Sequence, residues 1–182
     1  MSDATMTTTT SRPILFSGPM VRALLAGCKT QTRRVALRDR RGAQHVTKPC
    51  PYGAPGDTLW VRETFAPALM LPHLLHRQTV AYRATDEYPE GTLERITQTW
   101  CPSIFMPRWA SRLTLTLVDV SLQPLQPITQ HDELCEGFPP GATPSFRETW
   151  DALNSKRGHG WNANPWVWRL RFTVEDHRSR TP

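Results

Sequence analysis

Near the middle of the chain, "RLTLTLVDVSLQPL" alternates apolar and polar side chains, with Leu113, Leu115 and Leu117 on one face and Thr114, Thr116 and Val118 on the other. A period of two is the mark of a half-buried strand. The last ordered-looking stretch, "NPWVWRLRFTV", does the same, setting Trp166, Trp168, Leu170 and Phe172 against Val167, Arg169, Arg171 and Thr173. Shorter strands are expected at "TQTRRV", at Thr58 to Glu63 after the turn Ala54-Pro55-Gly56-Asp57, and at "TVAYRA". Helical spacing takes over in "PMVRALLAGC", where Val21, Leu24 and Leu25 share a face and Gly27 is a natural stop. "ITQHDELCEGF" predicts a helix with Thr129 as its N-cap, acids in its first turn and Gly137 at its end. "SFRETWDALNSK" adds a capping box, Ser145 with Glu148, and an apolar stripe of Phe146, Trp150 and Leu153.

Several strands with two or three short helices predict a mixed α+β fold. The expected form is a small, curved, partly closed β-barrel with helices over its openings. A hydrophobic fraction of 38% and 17 prolines suit such a turn-rich domain better than a helix bundle. One domain is expected over residues 13–175, between a flexible leader at 1–12 and a flexible tail at 176–182. Residues 36–55 and 84–110 read as long loops, which in a compact domain are usually functional or disordered. No stretch has the layout of a signal peptide or is apolar enough to span a bilayer, so a cytoplasmic protein without a membrane partner is expected. Cys28, Cys50, Cys101 and Cys135 are far apart and form no C-x-x-C pair, which fits reduced thiols and no zinc knuckle.

The net charge of +6 changes the picture by where it sits: between Arg22 and Lys48 lie eight basic residues against a single acid, Asp39. A patch facing phosphates is one reading, and a solvated basic loop is the other. The densest part is "LLAGCKTQTRR", Leu24 to Arg34. On a strand, Thr30, Thr32 and Arg34 share one face while Gln31 and Arg33 share the other. Lys29, at the turn after Gly27, can swing toward Thr32. A threonine hydroxyl becomes a nucleophile only if a base takes its proton. Lysine serves as that base only when burial or neighbouring cations lower its pKa. On spacing alone, an ordinary β-strand threonine beside a lysine that complements a helix dipole explains the segment as well.

"PMVRALLAGCKTQTRR" resembles the signature of the ASCH domain family, which is related to the PUA fold. "PGDTLWVRE", "LTLTLVDVSLQPLQPITQHDELCEGF" and "WVWRLRF" resemble further pieces of that family in the right order, so the likeness spans roughly residues 13 to 174. "CPYGAPGDTLWVRETF", "MPRWASR" and "NPWVW" look like its larger phage and prophage-associated branch. The resemblance implies a β-barrel that binds RNA or modified nucleotides in a cleft. In one bacterial branch, the N4-acetylcytidine amidohydrolases, a lysine, a threonine and a glutamate act together. Their motif falls here on Lys29, Thr32 and Glu136. This chain is longer than those compact enzymes and its loops are rich in tryptophan.

The resemblance thus implies a modified nucleoside or RNA as partner, Lys29, Thr32 and Glu136 as catalytic residues, and no metal or other cofactor. Around them, Arg33, Arg34, Thr30, Asp57 and Trp109 are candidate substrate contacts. Two schemes stay open: Thr32 attacks with Lys29 as base, or Glu136 activates water while a charged Lys29 steadies the oxyanion. A module that binds RNA without turnover, or a ribonuclease, are the alternatives. Of the seven tryptophans, Trp100, Trp109 and Trp161 lie in loops and could stack on unpaired bases, and loop anchoring is the equal alternative. Trp150, Trp166 and Trp168 are expected to pack. His73 and His76 form an H-x-x-H pair with no third ligand nearby.

Overall fold

The structure, a computed structural model, describes residues 9–36, 49–67, 80–85 and 99–177. Its frame is a five-stranded sheet in the order β1-β3-β6-β7-β2. The members are β1 (Ser11–Leu15), β2 (Gln31–Val35), β3 (Thr58–Arg62), β6 (Leu113–Pro124) and β7 (Trp166–Asp176). A small second sheet pairs β4 (Phe65–Pro67) with β5 (Val80–Tyr82). Three short helices complete the fold: α1 (Gly18–Leu25), α2 (Gln130–Cys135) and α3 (Phe146–Asn154). The architecture is mixed α+β with a mostly sheet core.

The two long strands carry the sheet. They pair antiparallel from Leu113↔Asp176 to Pro124↔Trp166. Leu115, Leu117, Leu170 and Phe172 project with Ile14 and Val61 into the main core, which α1 covers with Val21 and Leu24. Each such side chain contributes about 1.5–3 kcal/mol when fully buried. Val167, on the opposite face of β7, joins Leu125, Phe146 and Trp150 in a second cluster under α3. The predicted faces of β7 are therefore those observed.

On β6 the alternation breaks once. A bulge between Leu117 and Asp119 leaves Val118 as the extra residue, 54% exposed, and Val120 resumes the core face. The capping box of α3 forms as read, with Ser145 N–H donating to Glu148 Oε2 at 2.8 Å. Leu153 does not join the stripe of Phe146 and Trp150. It faces solvent at 65% exposure because α3 turns only two buried positions toward the sheet.

The expected boundaries shift. β1 begins at Ser11, inside the segment read as a leader, and pairs parallel with β3 from Ser11↔Thr58 to Leu15↔Arg62. Pro13 is tolerated there because β1 is the end strand of the sheet and a missing N–H breaks no ladder on its open side. At the other terminus, Asp176 still belongs to β7, inside the segment read as a tail, and His177 N–H donates to Arg112 O at 2.9 Å. The rest of the expected leader and tail, residues 1–8 and 178–182, lies outside the described residues, as do 37–48 and 86–98 of the expected loops.

Asp57 explains why β1 starts where it does. Its carboxylate accepts from Thr10 N–H at 2.8 Å and Ala54 N–H at 3.0 Å, and meets Arg12 Nη1 at 3.3 Å. These bonds, the Thr10 amide first, pull its pKa from 3.8 down to about 2. Gly53 closes the same turn at φ +117°, where a Cβ would lie 2.5 Å from Asp57 Oδ2. A carboxyl depressed in the fold stabilises above its unfolded pKa, and the contribution is lost as pH falls through the folded one. Acid unfolding should therefore show the gap between the protein and Asp57→Asn closing between pH ~4 and ~2. A gap independent of pH across that window would remove Asp57 as the tie.

Among the described residues no helix is long and apolar enough to cross a membrane.

Candidate functional site

β2 is the opposite end strand of the sheet, and its start is where the basic segment folds. α1 ends at Gly27, whose φ of +70° turns the chain so that Cys28 N–H and Lys29 N–H both donate to Ala23 O. α2 arrives from 107 residues away in sequence and lies against this turn, with Thr30 N–H donating to Cys135 O at 2.9 Å. Lys29 and Glu136 form an antiparallel bridge across the junction.

The Lys29 side chain is 1% exposed. Its ammonium donates to Gln31 O at 2.8 Å, to Glu136 O at 2.8 Å and to Glu136 Oε2 at 3.0 Å. Three acceptors match the three N–H bonds of a charged lysine. Burial pulls its pKa below the ordinary lysine value, the neighbouring Arg34 and Arg33 add to that, and Glu136 opposes it. Lys29 also caps α2: Glu136 O is one of the terminal carbonyls that a helix leaves without an internal partner.

Arg33 completes the cluster. Its Nη1 donates to Glu136 Oε1 at 3.0 Å, and its Nη2 lies 3.1 Å from Asp132 Oδ2. Gln31 Nε2 donates to Asp132 Oδ1 at 3.2 Å. Asp132 is at the same time the N3 residue of the α2 capping box with Thr129. Burial alone would raise its pKa, but the Thr129 amide, Arg33 and Gln31 outweigh it and hold the carboxyl low. The Nε–H of Arg33 is buried without an acceptor among the described residues.

Thr32 is buried on the other face of β2. It pairs with Leu170 of the main core, whereas Gln31 and Arg33 point to α2. The three bonds of the Lys29 ammonium do not include it. Arg34 shares the face of Thr32: its Nη2 donates to Leu15 O at 2.7 Å and its guanidinium lies 5.0 Å above the Phe16 ring. That bond ties the two end strands, β1 and β2, to each other. Phe16 also sits 5.7 Å from the Lys29 ammonium. Thr30 is exposed and serves through its backbone.

Asp57 and Trp109 are not brought to this cluster by any described contact. Asp57 is spent on the turn before β3. Trp109, 54% exposed, rides on a short 3-10 turn whose neighbour Arg108 lies 5.7 Å over Trp60. His73 and His76 lie outside the described residues. Asp132 and Phe16 belong to the cluster as well, although spacing does not point to either. The capping pattern marked Asp132 only as a helix-start acid, and nothing local distinguishes Phe16.

Gly137 makes the close approach of α2 possible. It has φ +90°, and a Cβ there would meet Ala23 Cβ at 3.0 Å and Lys29 Cβ at 3.5 Å. Gly137→Ala should cost about 1–3 kcal/mol through left-handed strain and crowding of α1. Thermal unfolding checks this, and an unchanged midpoint would contradict it.

No family model matches the sequence, and no curated protein matches it. Two solved structures are similar. One is a protein of Enterococcus faecalis V583 assigned to family model DUF984, at 7% identity and TM-score 0.48, over 93% of this chain and 82% of that one. The other is an ASCH domain from Lactobacillus crispatus JV V101, at 10% identity and TM-score 0.45, over 91% of this chain and 79% of that one. At these identities and TM-scores the likeness does not extend to function.

Proposed function

We propose that the chain is an ASCH-type protein with a PUA-like partly closed barrel, that it binds RNA or a modified nucleoside, and that it hydrolyses the N4-acyl amide of an acylated cytosine. The observation that carries this reading is the meeting of Lys29 and Glu136 at 3.0 Å in a buried cluster with Arg33. Amide hydrolysis needs a base for water and donors for the oxyanion. The three acceptors around Lys29 favour a charged lysine, so the second of the two schemes is adopted. Glu136 takes a proton from water as its oxygen attacks the acyl carbon. As Glu136 takes up that proton, Lys29 exchanges its bond to Glu136 Oε2 for one to the acyl oxygen, and the orphaned Nε–H of Arg33 is a second donor. The C–N bond then breaks and the proton passes to N4, releasing cytosine amine and carboxylic acid. Thr32, on the core side of β2, takes no part in this scheme.

A second reading is favoured by a different observation: both carboxylate oxygens of Glu136 are already engaged by cations and the cluster is closed. That is the form of a lock joining α2 to β2 in a binding module without turnover. Incubation with N4-acetylcytidine and with single-stranded RNA, followed by chromatography, separates the two. Released cytidine is expected. Salt-sensitive RNA binding with neither product would establish the binding module instead, and cut RNA would establish a ribonuclease.

A further inference from the structure

Beyond Lys29 the structure contains a second basic feature, at the opposite end of α1. A cavity of about 280 Å³ is lined by Gly18, Pro19, Arg22, Thr64, Arg83 and Ala84. It brings together two guanidiniums and a hydroxyl, with no acid among the described lining residues. Arg22 uses one nitrogen, donating from Nη1 to Ala84 O at 2.9 Å. Arg83 lies over Trp100 at 5.8 Å, a contact that positions the guanidinium without neutralising it. Two guanidiniums, that of Arg22 anchored by its bond to Ala84 O, and a threonine around one cavity offer the kind of donors that a tetrahedral oxyanion takes.

The cavity is coupled to the candidate site through the turn between β1 and α1. Gly18 lines the cavity, and Phe16, two residues earlier, packs against Lys29 and Arg34. The eight residues of α1, at about 1.5 Å each, set roughly 12 Å between the cavity end and the Lys29 end, a span on the order of one nucleotide from base to phosphate.

We propose that this cavity holds a phosphate group, so that the ligand of the protein is a phosphorylated nucleoside rather than a free one. This deepens the proposed nucleobase reading and rests on it for the base. The phosphate itself is tested apart from the base. Isothermal titration of the full chain with inorganic pyrophosphate, cytidine, CMP and the dinucleoside phosphate CpC gives the comparison. CMP should bind at least about tenfold more tightly than cytidine, with the difference fading as salt rises. Arg22→Glu and Arg83→Glu, both at exposed positions, should each remove that difference while the circular dichroism spectrum stays unchanged. CpC binding as tightly as CMP would place an internal diester, and hence an RNA chain, in the cavity. Weak CpC binding would place a terminal monoester there.

Should no nucleoside bind while pyrophosphate does, and the two arginine variants abolish it, the cavity stands and the nucleobase reading fails. Equal affinity for CMP and cytidine without pyrophosphate binding, or a CMP preference that survives both variants, would overturn the proposal.

Discussion

Glu136→Ala should lower the free energy of unfolding by about 3–5 kcal/mol, the usual cost of removing one partner from a buried ion pair. The carboxylate stands between two cations that are each almost fully buried, Lys29 at 3.0 Å and Arg33 at 3.0 Å. Without it, two like charges face each other in the interior with Asp132 as the remaining described counter-ion, which reaches only Arg33. The effect divides into a structural and a chemical part, and a second variant separates them. Replacing Lys29 by Met together with Glu136 by Leu removes both charges at similar volume, which in other proteins is often close to neutral for stability. Urea unfolding should show the double variant more stable than Glu136→Ala alone, with turnover of N4-acetylcytidine lost in both. A double variant that keeps its activity would remove the pair from the mechanism.

Arg112→Ala should cost a similar amount, about 3–5 kcal/mol, with no part in the proposed chemistry. Arg112 and Glu63 are 2% and 1% exposed and meet bidentately, Nε to Oε1 at 2.7 Å and Nη2 to Oε2 at 2.8 Å. The Arg112 guanidinium also lies 4.1 Å over the Tyr82 ring and bonds Thr85 Oγ1 at 3.2 Å. Truncation therefore leaves a buried carboxylate and loosens the segment after β5 at once. Arg112→Lys should recover little, since an ammonium cannot make the two parallel bonds of the fork. Equilibrium unfolding of both variants checks this, and a loss under about 1 kcal/mol for Arg112→Ala would mean that water replaces the fork.

How much of this was legible in the sequence depended on the kind of signal. The long strands β6 and β7, the N-cap of α2 and the capping box of α3 announce themselves through period and spacing. β1 does not: "SRPIL" is short, contains proline, and becomes a strand only because β3 is beside it. β4, three residues long, is equally silent and exists through its pairing with β5, which lies inside the strand expected at "TVAYRA". The bulge at Val118 is equally invisible, because nothing in "LVDVS" marks which residue will be extra.

The site divides in the same way. Lys29 and Arg33 stood out only as members of a basic segment, and Lys29, Thr32 and Glu136 entered as a site through a resemblance. That Asp132 neutralises Arg33, and that Thr32 faces Leu170 instead of α2, are consequences of strand register. Register is set across more than a hundred residues and leaves no local trace.

Glu136 either works on water or only locks α2 in place. The most direct measurement is cytidine release from N4-acetylcytidine by the protein and by Glu136→Gln, which keeps the shape of the side chain, at matched concentration and matched circular dichroism. Release by the protein is expected, with a rate at least about 10²-fold lower for the variant, the ordinary weight of a general base. No release by the protein, or an equal rate in the folded variant, would contradict it.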